Sequence, residues 1–201
     1  MGDMRRIRNI VILTGARVSA ESGIDTFRSE GGLWERYRVE DVATPEAFAR
    51  DPGLVLGFYD MRRAAIQEKL PNDAHMALAR LDAAWKGDLL IVTQNIDDLH
   101  ERAGASRVLH MHGEHLKAWC TACDRRSPWR GPLIERPPCP ACGMRSLRPD
   151  VVWFGEVPYR MDAIHAALRT CDLFVSIGTS GAVYPAASYV RNARDLGAQT
   201  L

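Results

Sequence analysis

Ile7-Arg8-Asn9-Ile10-Val11-Ile12-Leu13-Thr14-Gly15-Ala16 is the stretch on which the fold turns. Ile7 to Leu13 reads as a buried strand, and Gly15-Ala16 ends it in a tight turn, after which Ser19 and Ser22 offer caps for a short helical turn. Further along, Asp51-Pro52 starts a helix that runs to about Leu70. A second helix, roughly Ala74 to Lys86, carries Ala77, Leu81 and Ala84 on one face and stops at Gly87. Leu89 to Thr93 is a second buried strand, ending in Gln94-Asn95-Ile96-Asp97, and Val108 to Met111 is a third. Near the other end come a short strand (Val151 to Phe154), a helix (about Met161 to Thr170) and a strand (Leu173 to Ile177) closed by Gly178-Thr179-Ser180. A last helix runs from about Pro185 to Leu196. Strands alternating with helices predict an α/β fold, a Rossmann-like doubly wound parallel sheet. Three strands end in glycine-rich or polar clusters, and in such a sheet ligands bind at the carboxyl ends, so the site is expected there.

The 201 residues suffice for about one domain with an insertion. Lys and Arg number 26 against 25 Asp and Glu, so no global charge excess recruits nucleic acid or an anionic membrane. The longest apolar runs, among them Ile10 to Leu13 and Leu89 to Val92, fall far short of the roughly 18 residues of a membrane span. The basic start Arg5-Arg6-Ile7-Arg8 is not followed by a secretory apolar region. A cytoplasmic protein is expected, with no membrane association, no specific nucleic acid and a monomeric state.

Four of the five cysteines form the pairs Cys120-Thr-Ala-Cys123 and Cys139-Pro-Ala-Cys142, a spacing that fits a zinc site. Four thiolates leave no open coordination position, so the metal is expected to be structural. Cys171 follows Met161, Ile164 and Leu168 at helical spacing and reads as a small buried hydrophobe. The stretch Glu114 to Pro149, rich in Pro, Arg and Cys, is expected to be irregular. From Glu114 to Asp150 seven Lys or Arg face four Asp or Glu, a net of +3, and Trp119 and Trp129 pack a small zinc core more readily than they stack on bases.

Individual side chains carry chemistry. A glycine-rich turn lets backbone N–H groups approach a pyrophosphate. Gln94-Asn95-Ile96-Asp97 places three polar side chains at the end of a buried strand, an expensive arrangement without partners, although a helix cap at Asp97 or Asp98 is compatible with it. Histidine titrates near neutrality and suits proton transfer. His110, His112 and His115 lie close together and raise a rival metal reading, against which His110 and His112 alternate along a strand. Tyr59 and Arg62 are i, i+3 on one helix, and an arginine fork beside a phenol suits a carboxylate such as that of a succinyl or malonyl group. A solvated Arg62-Arg63 face is the bland alternative.

Gly15-Ala16-Arg17-Val18-Ser19-Ala20-Glu21-Ser22-Gly23-Ile24, then Thr26-Phe27-Arg28 and Gly32-Leu33-Trp34, closely resemble the sirtuins. So do Thr93-Gln94-Asn95-Ile96-Asp97, His112-Gly113, the two cysteine knuckles and Gly178-Thr179-Ser180. The sirtuins are NAD-dependent protein-lysine deacylases, and the likeness is greatest to bacterial members that also remove succinyl groups. The resemblance implies three units: an NAD-binding domain from 1–40, 88–113 and 151–201, a helical insertion at 41–87 and a zinc-binding module at 114–150. It implies NAD as co-substrate and one structural zinc on Cys120, Cys123, Cys139 and Cys142. For NAD it implies Gly15, Ala16, Arg17, Ala20, Glu21, Gly23, Asp25, Thr26, Phe27, Arg28 and Trp34. With them come Gln94, Asn95, Ile96, Asp97, His112, Gly178, Thr179 and Ser180. His112, Asn95 and Asp97 are the implied catalytic residues. Acylated lysine side chains of proteins are the implied partners, held by Tyr59, Arg62 and the segment Val151, Val152, Trp153, Phe154, Gly155 and Glu156, which resembles a strand that pairs with the substrate backbone. The implied reaction is attack of the acyl-lysine carbonyl oxygen on the nicotinamide ribose, loss of nicotinamide, and release of 2′-O-acyl-ADP-ribose from acetyl, succinyl or malonyl substrates.

The sequence departs from the pattern twice. Arg17 stands where the family pattern has Gly; a backbone that needs positive φ would be strained there, whereas a tolerant turn would set Arg17 near a phosphate. Leu201 falls where a further strand and a Glu-Leu-Asn-like segment are expected. These departures define the second expectation, a sirtuin-fold binder of NAD or acyl-lysine with little turnover, and a nucleic-acid-binding zinc module ranks last.

Overall fold

The computed structural model describes residues 7–25 and 37–201. Five parallel strands form the main sheet in the order β3-β2-β1-β7-β8: β1 (Ile10–Thr14), β2 (Leu89–Thr93), β3 (Val108–His110), β7 (Leu173–Ile177) and β8 (Gln199–Thr200). Side chains alternate along each strand, so the sheet buries two faces. Val11, Leu13, Val92 and Phe174 pack against Ile164 and Leu168 of a helix at Met161–Arg169 and Tyr189 and Ala193 of one at Tyr189–Asp195. Ile10, Ile12, Leu89 and Ile91 pack on the other side against Leu78 and Ala79 of a helix at Asp73–Ala84. That helix starts in a capping box, with Asn72 accepting from the His75 N–H and His75 Nδ1 facing the Asn72 N–H.

Between β1 and β2 the chain also forms helices at Val39–Val42 (α1), Pro45–Arg50 (α2) and Pro52–Gln67 (α3), so the Asp73–Ala84 helix is α4. Thr44 caps α2 and Asp51 caps α3, each ahead of a proline. A short helix at Leu99–Arg102 (α5) follows β2, and the last two helices are α6 and α7.

Several expectations are corrected. The expected irregular stretch at 114–149 contains most of an antiparallel sheet, β5-β4-β6, made of β4 (Gly113–Cys120), β5 (Arg126–Pro128) and β6 (Leu147–Val151). Pro128 and Pro149 hide these strands in the sequence, yet both lie on edge strands, where a missing N–H is tolerated. The expected strand Val151 to Phe154 ends at Val151. Beyond it the Val152 N–H donates to the His112 carbonyl, the Trp153 N–H to the Glu156 carboxylate and the Phe154 N–H to the Ala43 carbonyl, so the chain turns instead of extending. Ser19 and Ser22 do not cap: the 3-10 turn Ala16–Ser22 starts at Gly15 without a side-chain cap. The expected helix from Pro185 divides into a 3-10 turn (Ala186–Ser188) and α7. Among the described residues no helix is long and apolar enough to cross a membrane.

Candidate active site

The carboxyl ends of β1, β2 and β7 meet at one edge of the sheet, and their loops lock together through the backbone. The Gly15 N–H donates to the Ile177 carbonyl and the Arg17 N–H to the Gly178 carbonyl. The contact is too close for side chains. A Cβ on Gly15 would lie 2.8 Å from Thr179 Cα, and one on Gly178, at φ +64°, would lie 2.7 Å from the Val18 nitrogen. Gln94 bridges the same loops, its amide donating to the Thr14 carbonyl and, at 2.9 Å, to Thr179 Oγ1.

Beneath these loops lies a buried polar network. Ser19 donates to Asp97 at 3.0 Å and accepts from the Asn95 amide at 3.0 Å, with His75 Nε2 3.4 Å away. Asp97 also accepts from the Leu99 N–H at the start of α5, whose N-cap is Asp98 without a side-chain cap bond, and it lines the cavity wall. Burial raises its carboxyl above the usual range, opposed by the Leu99 and Ser19 hydrogen bonds. Ser19, expected as a cap, is 1% exposed and instead joins two buried polar side chains that lie far away in the sequence.

His112 stands just past β3. Its Nδ1 lies 3.1 Å from the Gln94 carbonyl oxygen, which can only accept. Nδ1 therefore carries the proton, and Nε2 of the neutral ring is left as the basic nitrogen. Burial lowers the pKa of His112, partly offset by the Gln94 hydrogen bond, which favours that neutral form. The rival histidine metal site does not form, since each ring is spent elsewhere: His110 on Glu101 and the Asn95 carbonyl, His115 on Arg62.

The strand-end loops, Ser19, Asn95, Asp97 and His112 border one cavity of about 520 Å³. Gly15, Ala16, Arg17, Asp25, Gln94, Asn95, Ile96, Asp97, His112, Gly178, Thr179 and Ser180 line it, as do Tyr59, Arg62 and Val151 to Glu156. Ser19, Ala43, Ile66, Pro158 and Val183 line it too and were not anticipated. Ala20, Glu21 and Gly23 do not line it; Ala20 and Glu21 face solvent in the 3-10 turn, and Gly23 closes that turn at φ +76°. Thr26, Phe27, Arg28 and Trp34 lie outside the described residues. Arg17 is exposed, sits within the 3-10 turn and is not at positive φ, so the strain considered for a non-glycine residue there does not arise.

The opposite wall is built from side chains. Tyr59 and Arg62 project from α3 and are 6% and 7% exposed. The Trp153 indole N–H donates to Tyr59 Oη at 3.0 Å, and because an indole can only donate, the phenol is left to donate in turn. Burial pushes the Tyr59 pKa up to about 12, so the hydroxyl keeps its proton. Trp153 is clamped from behind by Arg148, whose guanidinium stacks 3.3 Å from the ring centroid and pairs with both Glu156 oxygens.

Cys120, Cys123, Cys139 and Cys142 hold their sulfurs within 4.8 Å of one another, with the Cys120–Cys142 and Cys123–Cys139 pairs at 3.7 and 3.9 Å. A tetrahedral zinc with bonds of about 2.3 Å has sulfur–sulfur edges of about 3.8 Å, so the tetrad fits one structural zinc ion.

Comparison with known proteins agrees with this geometry. Residues 15–185 match the model of the Sir2 family. The chain is 55% identical over 192 residues to an NAD-dependent protein deacylase of Bdellovibrio bacteriovorus, covering 94% of this chain and 82% of that protein. It is 56% identical over 197 residues to one of Vibrio vulnificus, covering 96% and 80%. A solved Sir2 homologue–NAD complex superimposes with a TM-score of 0.89 at 42% identity, over 98% of this chain and 77% of that one. A Sir2 protein bound to a deacetylated peptide and 3′-O-acetyl ADP-ribose superimposes with a TM-score of 0.85 at 28% identity, over 97% and 81%.

Proposed function

This chain belongs to the Sir2 family and is an NAD-dependent protein deacylase, and we propose that it removes succinyl and malonyl as well as acetyl groups from protein lysines, yielding nicotinamide and 2′-O-acyl-ADP-ribose. The observation that carries this reading is the Tyr59–Arg62 pair, buried in the same cavity as His112 and the strand-end loops.

NAD supplies an electrophilic ribose carbon that takes up the acyl oxygen. The chain's own residues do the rest. The backbone N–H of Ala16 and those of the Gly178-Thr179-Ser180 turn face the phosphates, while Gln94, Asn95 and Asp97 orient the ribose and nicotinamide. His112 accepts a ribose hydroxyl proton at Nε2, and the hydrogen bond from its Nδ1 to the Gln94 carbonyl supports that role. The Tyr59 hydroxyl and the Arg62 fork receive the distal carboxylate of a succinyl group, and Val152 to Glu156 border the lysine entrance. The cysteine tetrad, with its zinc, holds together the small sheet that carries β6 and hence Trp153.

The test is Arg62→Met with matched acetyl- and succinyl-lysine peptides. Desuccinylation should lose about 100-fold in kcat/KM, since a charge-assisted fork disappears, and deacetylation no more than a few-fold. Equal losses on both peptides would count against the carboxylate role.

A further inference from the structure

We propose that His115 is a positioning residue for acidic acyl groups: it takes Arg62 Nε as a hydrogen-bond donor and so aims the guanidinium at the cavity. The inference rests on the reading of Tyr59 and Arg62 as the acyl-carboxylate site.

His115 is fully buried on β4, and Arg62 Nε donates to its Nε2 at 3.2 Å. Arginine has no acceptor, so the bond requires an unprotonated Nε2 and places the ring proton on Nδ1. Burial and the charges of Arg62 and Arg63 hold His115 well below the usual histidine range, which keeps that lone pair available. The ring also packs edge-on against Tyr59, with centroids 5.4 Å apart, so one imidazole touches both acyl-recognition residues.

The backbone of His115 is pinned as firmly as its ring. Its carbonyl accepts from Arg63 Nε at 2.9 Å, and its N–H donates to the Ile96 carbonyl at 2.7 Å. α3, β4 and the loop after β2 therefore converge on this residue. A role in packing alone does not account for it: Nδ1 is buried with no hydrogen-bond partner among the described residues, a cost that a leucine of similar size would avoid. What leucine could not do is accept from Arg62. With Nε engaged, the guanidinium plane is fixed and its terminal nitrogens have a set direction, and a planar fork gains its selectivity for carboxylates from that preorganisation.

The experiment compares the wild type with His115→Leu and His115→Gln, all with zinc bound, for turnover of acetyl- and succinyl-lysine peptides and for peptide affinity by calorimetry without NAD. His115→Leu should raise KM and Kd for the succinyl peptide roughly tenfold while acetyl values stay within about twofold, and His115→Gln, which keeps an acceptor, should restore most of the difference. If the leucine variant loses its zinc or its cooperative unfolding, His115→Asn takes its place, its shorter acceptor being unable to reach Arg62. Succinyl and acetyl constants that move together, or a succinyl KM left at the wild-type value, overturn the role of His115 while the acyl reading stands. A wild type without desuccinylation overturns both.

Discussion

The two walls of the cavity are made of different material. The wall proposed for the nucleotide is backbone against backbone: Gly15 meets Thr179, Gly178 meets Val18, and strand-end carbonyls accept from the facing loop. The wall proposed for the acyl group is side chain against side chain: Trp153 on Tyr59, Arg62 on His115, with Arg148 and Glu156 behind. A backbone wall tolerates only certain residues at certain positions and so leaves a contiguous motif. A side-chain wall draws on α3, β4 and the turn after β6, more than 90 residues apart in the Trp153–Tyr59 pair, and leaves little local trace.

In the proposed mechanism His112 serves both walls, so its loss should have the largest effect. His112→Ala should cut kcat by roughly 10²–10⁴ on acetyl and succinyl peptides alike, the range for removing a general base, with zinc content and unfolding temperature close to wild type. Steady-state kinetics on both peptides would check this, and a loss confined to one acyl group would assign His112 to the acyl wall alone.

Gly178→Ala attacks the nucleotide wall by itself. At φ +64° and 2.7 Å from the Val18 nitrogen, a methyl group can be accommodated only if the two loops separate. A strain on the order of 1–3 kcal/mol should raise the KM for NAD by roughly tenfold or more, equally for both acyl peptides. If instead the acetyl-to-succinyl ratio changed while NAD affinity held, the two walls would not be separable in the way the geometry implies.

The contrast between the walls also explains what could be read in advance. Leu89–Thr93 and Leu173–Ile177 appear in the sheet with the limits their apolar runs suggest, and the marked ends at Gly15, Gln94 and Gly178 do line one cavity. Tyr59 and Arg62 were legible because helical spacing alone puts them on one face. The β5-β4-β6 sheet was not, because its edge strands contain Pro128 and Pro149 and its buried charge, Arg148, is neutralised by Glu156 and covered by Trp153, partners that only the fold brings near. Ser19 and His115 escaped for the same reason. A serine or histidine with no local periodicity acquires its meaning from Asp97 or Arg62 across the fold.

The smallest expected effect concerns the floor under the nucleotide wall. His75 and His100 are fully buried there with rings 4.9 Å apart, their Nε2 atoms on Ser19 and Thr14. Burial pulls both down to about 4, against an ordinary value near 6.5 in the unfolded chain. The folded state therefore binds fewer protons than the unfolded state between those values. Stability from this pair is complete above about pH 6.5 and is lost as the pH falls, by about 2.7 kcal/mol per pH unit when both histidines are protonated only on unfolding. His115, in the acyl wall, acts in the same direction. His75→Gln, which retains polar atoms but cannot titrate, should reduce the slope of unfolding free energy between pH 6 and 5 by about 1.4 kcal/mol per unit, whatever it does to stability at neutral pH. Denaturant titrations at the two pH values measure that slope directly. An unchanged slope would mean that His75 already takes up its proton in the folded protein, and that the Ser19–Asp97 network does not depend on a neutral ring beneath it.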